Sequence, residues 1–258
     1  MTALTALWKR EIIKFVRDRS RIIGALGQPL GFWLLLGFGF QGTFRMPSNG
    51  DAAVGYMEFL FPGVIAMVLL FTALFSTISI VEERKSGFLQ AALVAPTSRL
   101  SLVLGATLGG ATLALLQAAL FLFLLPLSGL HPTPLGLVIL VGVCALIGIS
   151  FTALGVLFAW RMETTRGFHA VMNLVLLPMW LLSGAVFPLT GVPAPLRWVM
   201  TLNPVTYGVS ALRQSLYWPA SAPDASAPLG LSIAVSAVFA ALILYLTARA
   251  VRRPLFGD

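Results

Sequence analysis

Six stretches of the sequence contain no aspartate, glutamate, lysine or arginine, and each is at least 20 residues long. A helix of about 20 residues is about 30 Å long, which matches the hydrocarbon thickness of a lipid bilayer. We therefore predict six transmembrane helices, at residues 22–44, 59–81, 100–127, 135–160, 167–187 and 229–248.

The composition excludes a water-soluble domain. Of the 258 residues, 58% are hydrophobic and 10% are charged, whereas soluble domains are about one quarter charged. Because the predicted spans take up more than half of the chain, little remains for a folded domain outside the membrane. The predicted fold class is an all-α integral membrane protein with residues 1–258 in a single transmembrane domain.

The basic residues predict the orientation of the spans. Fourteen of the 17 lysines and arginines fall on one side of the six-span layout, and Arg45, Arg197 and Arg213 fall on the other. Cytoplasmic loops carry the excess of basic residues, so both termini are predicted to be cytoplasmic. The net charge of +8 is thus interpreted as a topology signal, and nucleic acid is not expected as a partner.

Two segments outside the spans have patterns of their own. Residues 1–21 place Leu4, Trp8 and Ile12 on one helical face and basic residues on the rest, which predicts an amphipathic helix at the membrane interface. This helix either anchors the chain or also contacts a cytoplasmic partner. Residues 188–228 are broken by prolines into pieces shorter than a span, which predicts two external re-entrant or interfacial helices.

Within the external segment, Pro204 is predicted to fix the turn between the two short helices, and Asn203 to cap the second. Arg197 and Arg213 are expected to extend into water from this segment.

The spans lack the residues that intramembrane chemistry requires. No carboxylate, lysine or arginine lies in a predicted span, which argues against an intramembrane enzyme or a proton-coupled carrier. The three lysines, Lys9, Lys14 and Lys85, follow no Walker A pattern, so another chain must hydrolyse ATP if ATP is used. Three polar side chains either bond across helices or line a substrate path: Gln28, Gln117 and Asn173.

The connection between the second and third spans, residues 82–99, is amphipathic although it lies outside the membrane. It opens with four charged residues, and its apolar residues, which include Phe88, Leu89 and Leu93, recur at helical spacing. Such a face either lies on lipid headgroups or inserts into a groove of a partner protein, with Phe88 as the expected anchor.

Residues 82–99 resemble the segment between the second and third spans in permease subunits of type 2 ATP-binding-cassette (ABC) exporters. That family has a Glu-Arg-x-x-Gly sequence there, followed by leucine and then by Pro-x-Ser-Arg. Residues 183–188 (Ser-Gly-Ala-Val-Phe-Pro), 202–207 (Leu-Asn-Pro-Val-Thr-Tyr) and 211–213 (Ala-Leu-Arg) are similar to its external motifs. The likeness extends over nearly the whole chain, and the relatives it resembles most export drug-like molecules or lipo-oligosaccharides.

The resemblance implies a subunit of an exporter in a bacterial inner membrane, in which two permeases, expected to be identical, pair with two ATPase subunits. ATP and Mg would be bound by the ATPase, and this chain would bind no cofactor or metal of its own. Residues matching the ATPase-coupling segment are Glu82, Glu83, Arg84, Lys85, Gly87, Phe88, Leu89, Leu93 and Pro96. Residues matching the external gate are Phe187, Pro188, Asn203, Pro204 and Tyr207. The alternatives are an ATP-independent channel or secondary carrier, and a membrane-embedded enzyme.

Overall fold

The structure is a computed structural model that describes residues 3–17, 19–40, 45–46, 54–87, 98–190 and 192–252. Most of these residues are helical, and Arg45–Met46 (β1) pairs antiparallel with Val54–Gly55 (β2). The helices are α1 (Ala3–Arg17), α2 (Arg19–Gly39), α3 (Tyr56–Ser76), α4 (Ile78–Lys85), α5 (Arg99–Leu122), α6 (Leu125–Ser128), α7 (Pro134–Ala159), α8 (Thr165–Trp180), α9 (Ala194–Leu202), α10 (Pro204–Tyr217) and α11 (Leu229–Arg252). A π-helical turn, Leu181–Ala185, follows α8 directly.

The described helices confirm an all-α protein that crosses the membrane several times. Five helical stretches are long and apolar enough to span it: Tyr56–Lys85, Leu100–Leu122, Pro134–Ala159, Thr165–Ala185 and Leu229–Val251. They correspond to the second to sixth predicted spans. The described apolar part of α2, Leu26–Gly39, is shorter, so the first span at 22–44 stays a prediction.

Helix α3 occupies the centre of the molecule and α11 lies at its outside. Helix α3 packs against α2, α5, α7 and α10, and 83% of the most apolar part of the α3–α4 stretch is buried. In α11 the buried share is only 22%, and Val238, Leu242 and Tyr245 are exposed. An exposed apolar face is expected of an outer span, since lipid tails are as apolar as leucine.

Small and polar residues hold the central spans together. A Cβ atom at Gly110 of α5 would clash with the side chains of Ser76 and Thr152, so the close approach of α3, α5 and α7 requires glycine there. The hydroxyl group of Thr72 donates a hydrogen bond to the side-chain oxygen of the fully buried Gln117, which joins α3 to α5. Interhelical bonds of this kind stabilise a membrane bundle by about 1 kcal/mol each.

The predicted N-terminal helix is present as α1, and it packs along α5. The indole nitrogen of Trp8 donates to the hydroxyl oxygen of Thr112 at 3.0 Å. At 1.5 Å per residue, Thr112 lies about 20 Å along α5 from Arg99, so α1 runs beside a span. Its position at the membrane interface stays a prediction.

The structure has two short helices, α9 and α10, within the segment 188–228. In α9, Trp198 is 71% exposed, whereas most of α10 is buried against α3, α7 and α11. The expectation that Arg213 extends into water is wrong: this side chain is 2% exposed. It turns inward because backbone carbonyl groups of neighbouring elements accept its hydrogen bonds. The external, re-entrant placement of the segment stays a prediction.

Candidate functional sites

The predicted coupling segment begins at the end of α4. Helix α4 continues α3 after a break at Thr77, whose hydroxyl group donates to the carbonyl oxygen of Leu74. It ends at Lys85, and Gly87 has a φ of 76°, a left-handed conformation that favours glycine after a helix. The chain therefore turns away from the axis of the span just before Phe88. Phe88, Leu89, Leu93 and Pro96 lie outside the described residues.

Arg84 attaches the end of α4 to the end of α7. Its guanidinium group donates to the carbonyl oxygens of Met162 at 3.0 Å and Ala159 at 3.4 Å, and also to that of Trp160. The last carbonyl groups of a helix have no partner within the helix, and a nearby arginine can satisfy them. Arg84, one of the residues matching the ATPase-coupling segment, thus has contacts within the chain that fix where the second span ends.

Glu83 connects the same region to the N-terminal helix. Its carboxylate accepts a hydrogen bond of 2.6 Å from Arg10, which also bonds Glu11 at 2.9 Å. Burial lowers the pKa of Arg10, but the two carboxylates outweigh this effect and the pKa is raised overall. Arg10, Glu11 and Glu83 line a cavity of about 40 Å³ together with apolar residues of α5 and with Trp160.

The two remaining charges of α4 face outward. Glu82 and Lys85 are exposed, and neither forms an ion pair within the described part of the chain. The four charged residues of α4 therefore divide into two that hold the bundle together and two that remain available to a partner. The sequence pattern alone made no distinction among them.

At the other end of the molecule, Arg213 is the centre of a buried polar cluster. Its guanidinium group donates to the carbonyl oxygens of Asp224 at 3.1 Å and Gly184 at 2.9 Å, and lies 4.3 Å from the centroid of the Phe59 ring. The carboxylate of Asp224 is 3.8 Å away and accepts hydrogen bonds from the backbone of Leu189 and Thr190. Burial lowers the pKa of Arg213 to about 10, so the side chain stays charged at neutral pH.

This cluster joins three parts of the fold: α10, the π-helical turn after α8, and the beginning of α3. A second contact reinforces it, since the hydroxyl group of Tyr217 donates to the carboxylate of Glu58 in α3 at 2.6 Å. Burial and this hydrogen bond both raise the pKa of Tyr217, which keeps its proton on the phenol. No sequence motif singled out Asp224 or the Glu58–Tyr217 pair.

Asn203 is the residue of the predicted gate with the most contacts. It caps α10 as predicted, since its side-chain oxygen accepts from the backbone of Val205 at 3.0 Å. Its amide nitrogen also donates to the carbonyl oxygens of Met179 at 2.6 Å and Leu182 at 3.1 Å. Leu182 has a non-helical backbone, so the π-helical turn leaves carbonyl groups that Asn203 satisfies. One side chain thus ties the turn between α9 and α10 to the end of the fifth span.

The other residues of the predicted gate follow either Asn203 or the π-helical turn in the sequence. Pro204 is the first residue of α10, where its missing N–H has no helical partner to lose. The hydroxyl group of Tyr207 donates to the carbonyl oxygen of Thr201 at the end of α9, at 3.0 Å. Phe187 and Pro188 follow the π-helical turn, and Phe187 is 56% exposed.

The three residues proposed for a substrate path are not brought together. Gln117 is buried and bonded to Thr72, which is a packing role. Gln28 on α2 and Asn173 on α8 are exposed. The side chains of Gln28 and Asn173 remain available to a substrate or to a second chain. The side chain of Gln117 is buried in this conformation and is not available to either.

Comparison with known proteins agrees with this architecture. A family profile described as ABC-2 type transporter matches residues 2–217. Nodulation protein J of Sinorhizobium fredii is 26% identical over 98% of this chain and 94% of its own length. The daunorubicin resistance ABC transporter permease protein DrrB1 of Streptomyces coeruleorubidus is 26% identical over 94% of this chain and 84% of its own. A Cyanophora paradoxa chain named as a transport permease, ycf38, is 28% identical over 81% and 72%, respectively.

Proposed function

Because the chain belongs to the ABC-2 type transporter family, we propose that it is the membrane-spanning subunit of an ATP-driven exporter. Two copies of the chain, or this chain and a related one, pair with two ABC ATPase subunits that bind ATP and Mg. The substrate is an amphipathic or lipid-linked molecule, either drug-like or a lipo-oligosaccharide, that moves out of the cytoplasm. The observation that carries the proposal is the family match, which includes the coupling segment and most of the external segment.

The division of charges on α4 supports a coupling role for residues 82–99. Arg84 and Glu83 fix the end of the second span to α7 and α1, so a force applied just beyond Lys85 is transmitted to three helices. Glu82 and Lys85 are exposed beside this fixed point and are suited to orient a partner. Phe88 and Leu89 then enter the groove of the ATPase, where a buried aromatic side chain supplies most of the binding energy.

The external end is proposed to control exit of the substrate. Asn203 and Arg213 attach the two short helices to the fifth and second spans, so these helices move only if those contacts change. The similar protein DrrB1 is named for resistance to daunorubicin, which supports a drug-like molecule as one of the two substrate classes.

The proposed orientation places both termini in the cytoplasm of a bacterial cell, with the chain in its inner membrane. The asymmetry of the basic residues supports it. Reporter enzymes fused after residue 258 and within residues 82–99 should be active in the cytoplasm, whereas one inserted at residues 48–51 should be active outside. Activity of the C-terminal reporter outside the cytoplasm would contradict the six-span layout.

Transport by reconstituted vesicles tests the function. The chain is incorporated into liposomes with and without the ABC ATPase encoded nearest to it, and export of a fluorescent amphipathic compound is followed. Export should require both the ATPase and hydrolysable ATP. Phe88→Ala should weaken the affinity for the ATPase about thirtyfold, as expected for loss of an anchor worth about 2 kcal/mol, and so lower its recovery. Lys85→Ala, a change of one exposed charge nearby, should reduce recovery far less.

The alternative functions give different results in the same vesicles. A channel or secondary carrier would transport without the ATPase, and a membrane-embedded enzyme would convert the compound without moving it. Either result would overturn the proposal, as would equal ATP-dependent export by wild type and Phe88→Ala with equal recovery of the ATPase.

A further inference from the structure

A basic cleft lies between the ends of α7 and α11, and its residue Arg161 stands between Trp160 and Met162, whose carbonyl groups accept hydrogen bonds from Arg84. It has a volume of about 330 Å³ and is lined by Leu157, Arg161, Leu246, Arg249 and Ala250. On the same measure one water molecule needs about 10–15 Å³, so the cleft is many times larger than the site of one water molecule. It is the size of a small charged headgroup rather than of a single ion.

The cleft lies at the ends of two apolar helices that are long enough to span a membrane, where headgroups are expected. Arg161 comes two residues after the end of α7, and Arg249 lies in the last turn of α11. The two helices pack side by side, and the hydroxyl group of Thr247 donates to the carbonyl oxygen of Ala153 at 3.0 Å. Both arginines therefore sit at the same face of the membrane, just beyond the apolar parts of their helices.

The charge in the cleft is not balanced from within the described part of the chain. Arg161 and Arg249 are both exposed, and the lining residues include no carboxylate. Glu163, the acidic residue closest to Arg161 in sequence, acts electrostatically on Arg84 and does not line the cleft. Two guanidinium groups that share a cleft without a carboxylate repel each other, so an anion bound between them is favoured.

The apolar lining identifies the kind of anion. Leu157 and Leu246 line the cleft on the side of the spans, and α11 exposes Leu242 and Tyr245 along the same helix. A ligand that has a phosphate group and a hydrocarbon tail matches both the two arginines and the apolar lining of the cleft. Basic clefts between transmembrane helices bind anionic lipid headgroups for this reason.

We propose that this cleft binds the phosphate group of an anionic phospholipid, with Arg161 and Arg249 on the headgroup and the acyl chains along Leu157 and Leu246. A zwitterionic lipid is disfavoured because its ammonium group would meet the same two arginines. The inference rests on the multi-pass membrane architecture alone, so it does not depend on which substrate the protein moves or on its ATPase.

Native mass spectrometry of the purified full-length chain tests the proposal. Phosphatidylglycerol and phosphatidylcholine with identical acyl chains are titrated separately. Phosphatidylglycerol should bind more tightly, and each arginine should account for about fivefold in affinity, since a basic residue near a membrane surface contributes about 1 kcal/mol. Arg161→Gln combined with Arg249→Gln should therefore weaken binding of phosphatidylglycerol about 25-fold and remove the preference.

Two further variants test whether the cleft itself, rather than the overall positive charge of the chain, determines lipid binding. Arg166→Gln removes one exposed arginine from the start of α8, outside the cleft, and should leave the preference unchanged. Ala250→Trp keeps both arginines but fills the cleft, and should also weaken phosphatidylglycerol. The bound fraction is taken among folded chains only, with and without lipid, so loss of folded protein is not scored as loss of binding.

Three results would overturn the proposal. The first is equal affinity for the two lipids in wild type, and the second is an unchanged preference in the double glutamine variant. The third is binding of soluble glycerol 3-phosphate as tight as that of phosphatidylglycerol, which would assign the cleft to a free phosphate compound rather than to a lipid.

Discussion

Arg84 and Arg213 lie at opposite ends of the molecule, and both bind backbone carbonyl groups, but their surroundings differ. Each guanidinium group donates to backbone carbonyl oxygens at a place where helical hydrogen bonding stops. Arg213 is 2% exposed and has the carboxylate of Asp224 at 3.8 Å. Arg84 is partly exposed, and no carboxylate of the described residues lies within 4.0 Å of it.

The difference indicates that the two ends of the protein are built for different partners. At the Arg213 end, the buried charges of Arg213 and Asp224 are paired inside the chain, and Arg197 of the same segment is exposed. At the Arg84 end, a partly exposed arginine attaches α4 to α7, and the exposed charges of Glu82 and Lys85 remain beside it. We infer that the end with exposed charges beside its fixed point is suited to dock another protein, whereas the end held by a buried ion pair is suited to close a path.

Replacing Arg213 should have the largest effect on stability. Arg213→Met keeps the apolar stem but leaves Asp224 as a buried carboxylate without its cation, and breaking a buried pair in this way costs about 3–5 kcal/mol. Thermal unfolding of the purified chain in detergent, followed by tryptophan fluorescence, measures this loss. Arg197→Met is the matched control, because Arg197 is exposed and should tolerate the change. Equal unfolding temperatures for the two variants would mean that the buried cluster does not stabilise the fold.

Arg84→Met should destabilise the chain less than Arg213→Met does. Arg84 is partly exposed and leaves no buried carboxylate without its cation, so we expect a loss near that of one charged hydrogen bond, about 1.5–3 kcal/mol. Arg84→Lys should recover part of this loss, since an ammonium group donates to fewer of the three carbonyls at once. The same unfolding experiment ranks the stabilities of the variants. A larger loss of stability for Arg84→Met than for Arg213→Met would contradict the expected order.

The ion pair between Arg10 and Glu83 should contribute least. Its side chains are 34% and 15% exposed, and pairs of this exposure are typically worth less than about 1 kcal/mol. A double-mutant cycle with Arg10→Gln and Glu83→Gln isolates the pair from the other contacts of both residues. A coupling energy well above that value would show that α1 is held as firmly as the buried cluster.

The sequence predicted the spans well because the absence of charge is a local property. The predicted spans 135–160 and 229–248 differ from α7 and α11 by only a few residues at their ends. The cap at Asn203 was also predictable, since asparagine before proline is a local signal for the start of a helix.

The buried clusters could not be predicted, because they depend on contacts between distant parts of the chain. Arg213 bonds Gly184, 29 positions earlier, and approaches Phe59, 154 positions earlier. The Ala-Leu-Arg motif at residues 211–213 carries no information on burial, and Arg197 of the same segment stays exposed. The roles of Arg84 and Glu83 were hidden for the same reason, since their partners lie in α7 and α1.

The central claim is that one end of the molecule docks the ATPase and the other controls exit, and one experiment separates the two. Wild type, Phe88→Ala and the double variant Asn203→Ala with Pro204→Ala are each produced with the ATPase. Recovery of the ATPase with the permease and ATP-dependent export from vesicles are then measured on the same preparations. Phe88→Ala should lose both, whereas the double variant should recover the ATPase fully and still fail to export. Full export by the double variant, or loss of ATPase recovery in it, would contradict the division of roles between the two ends.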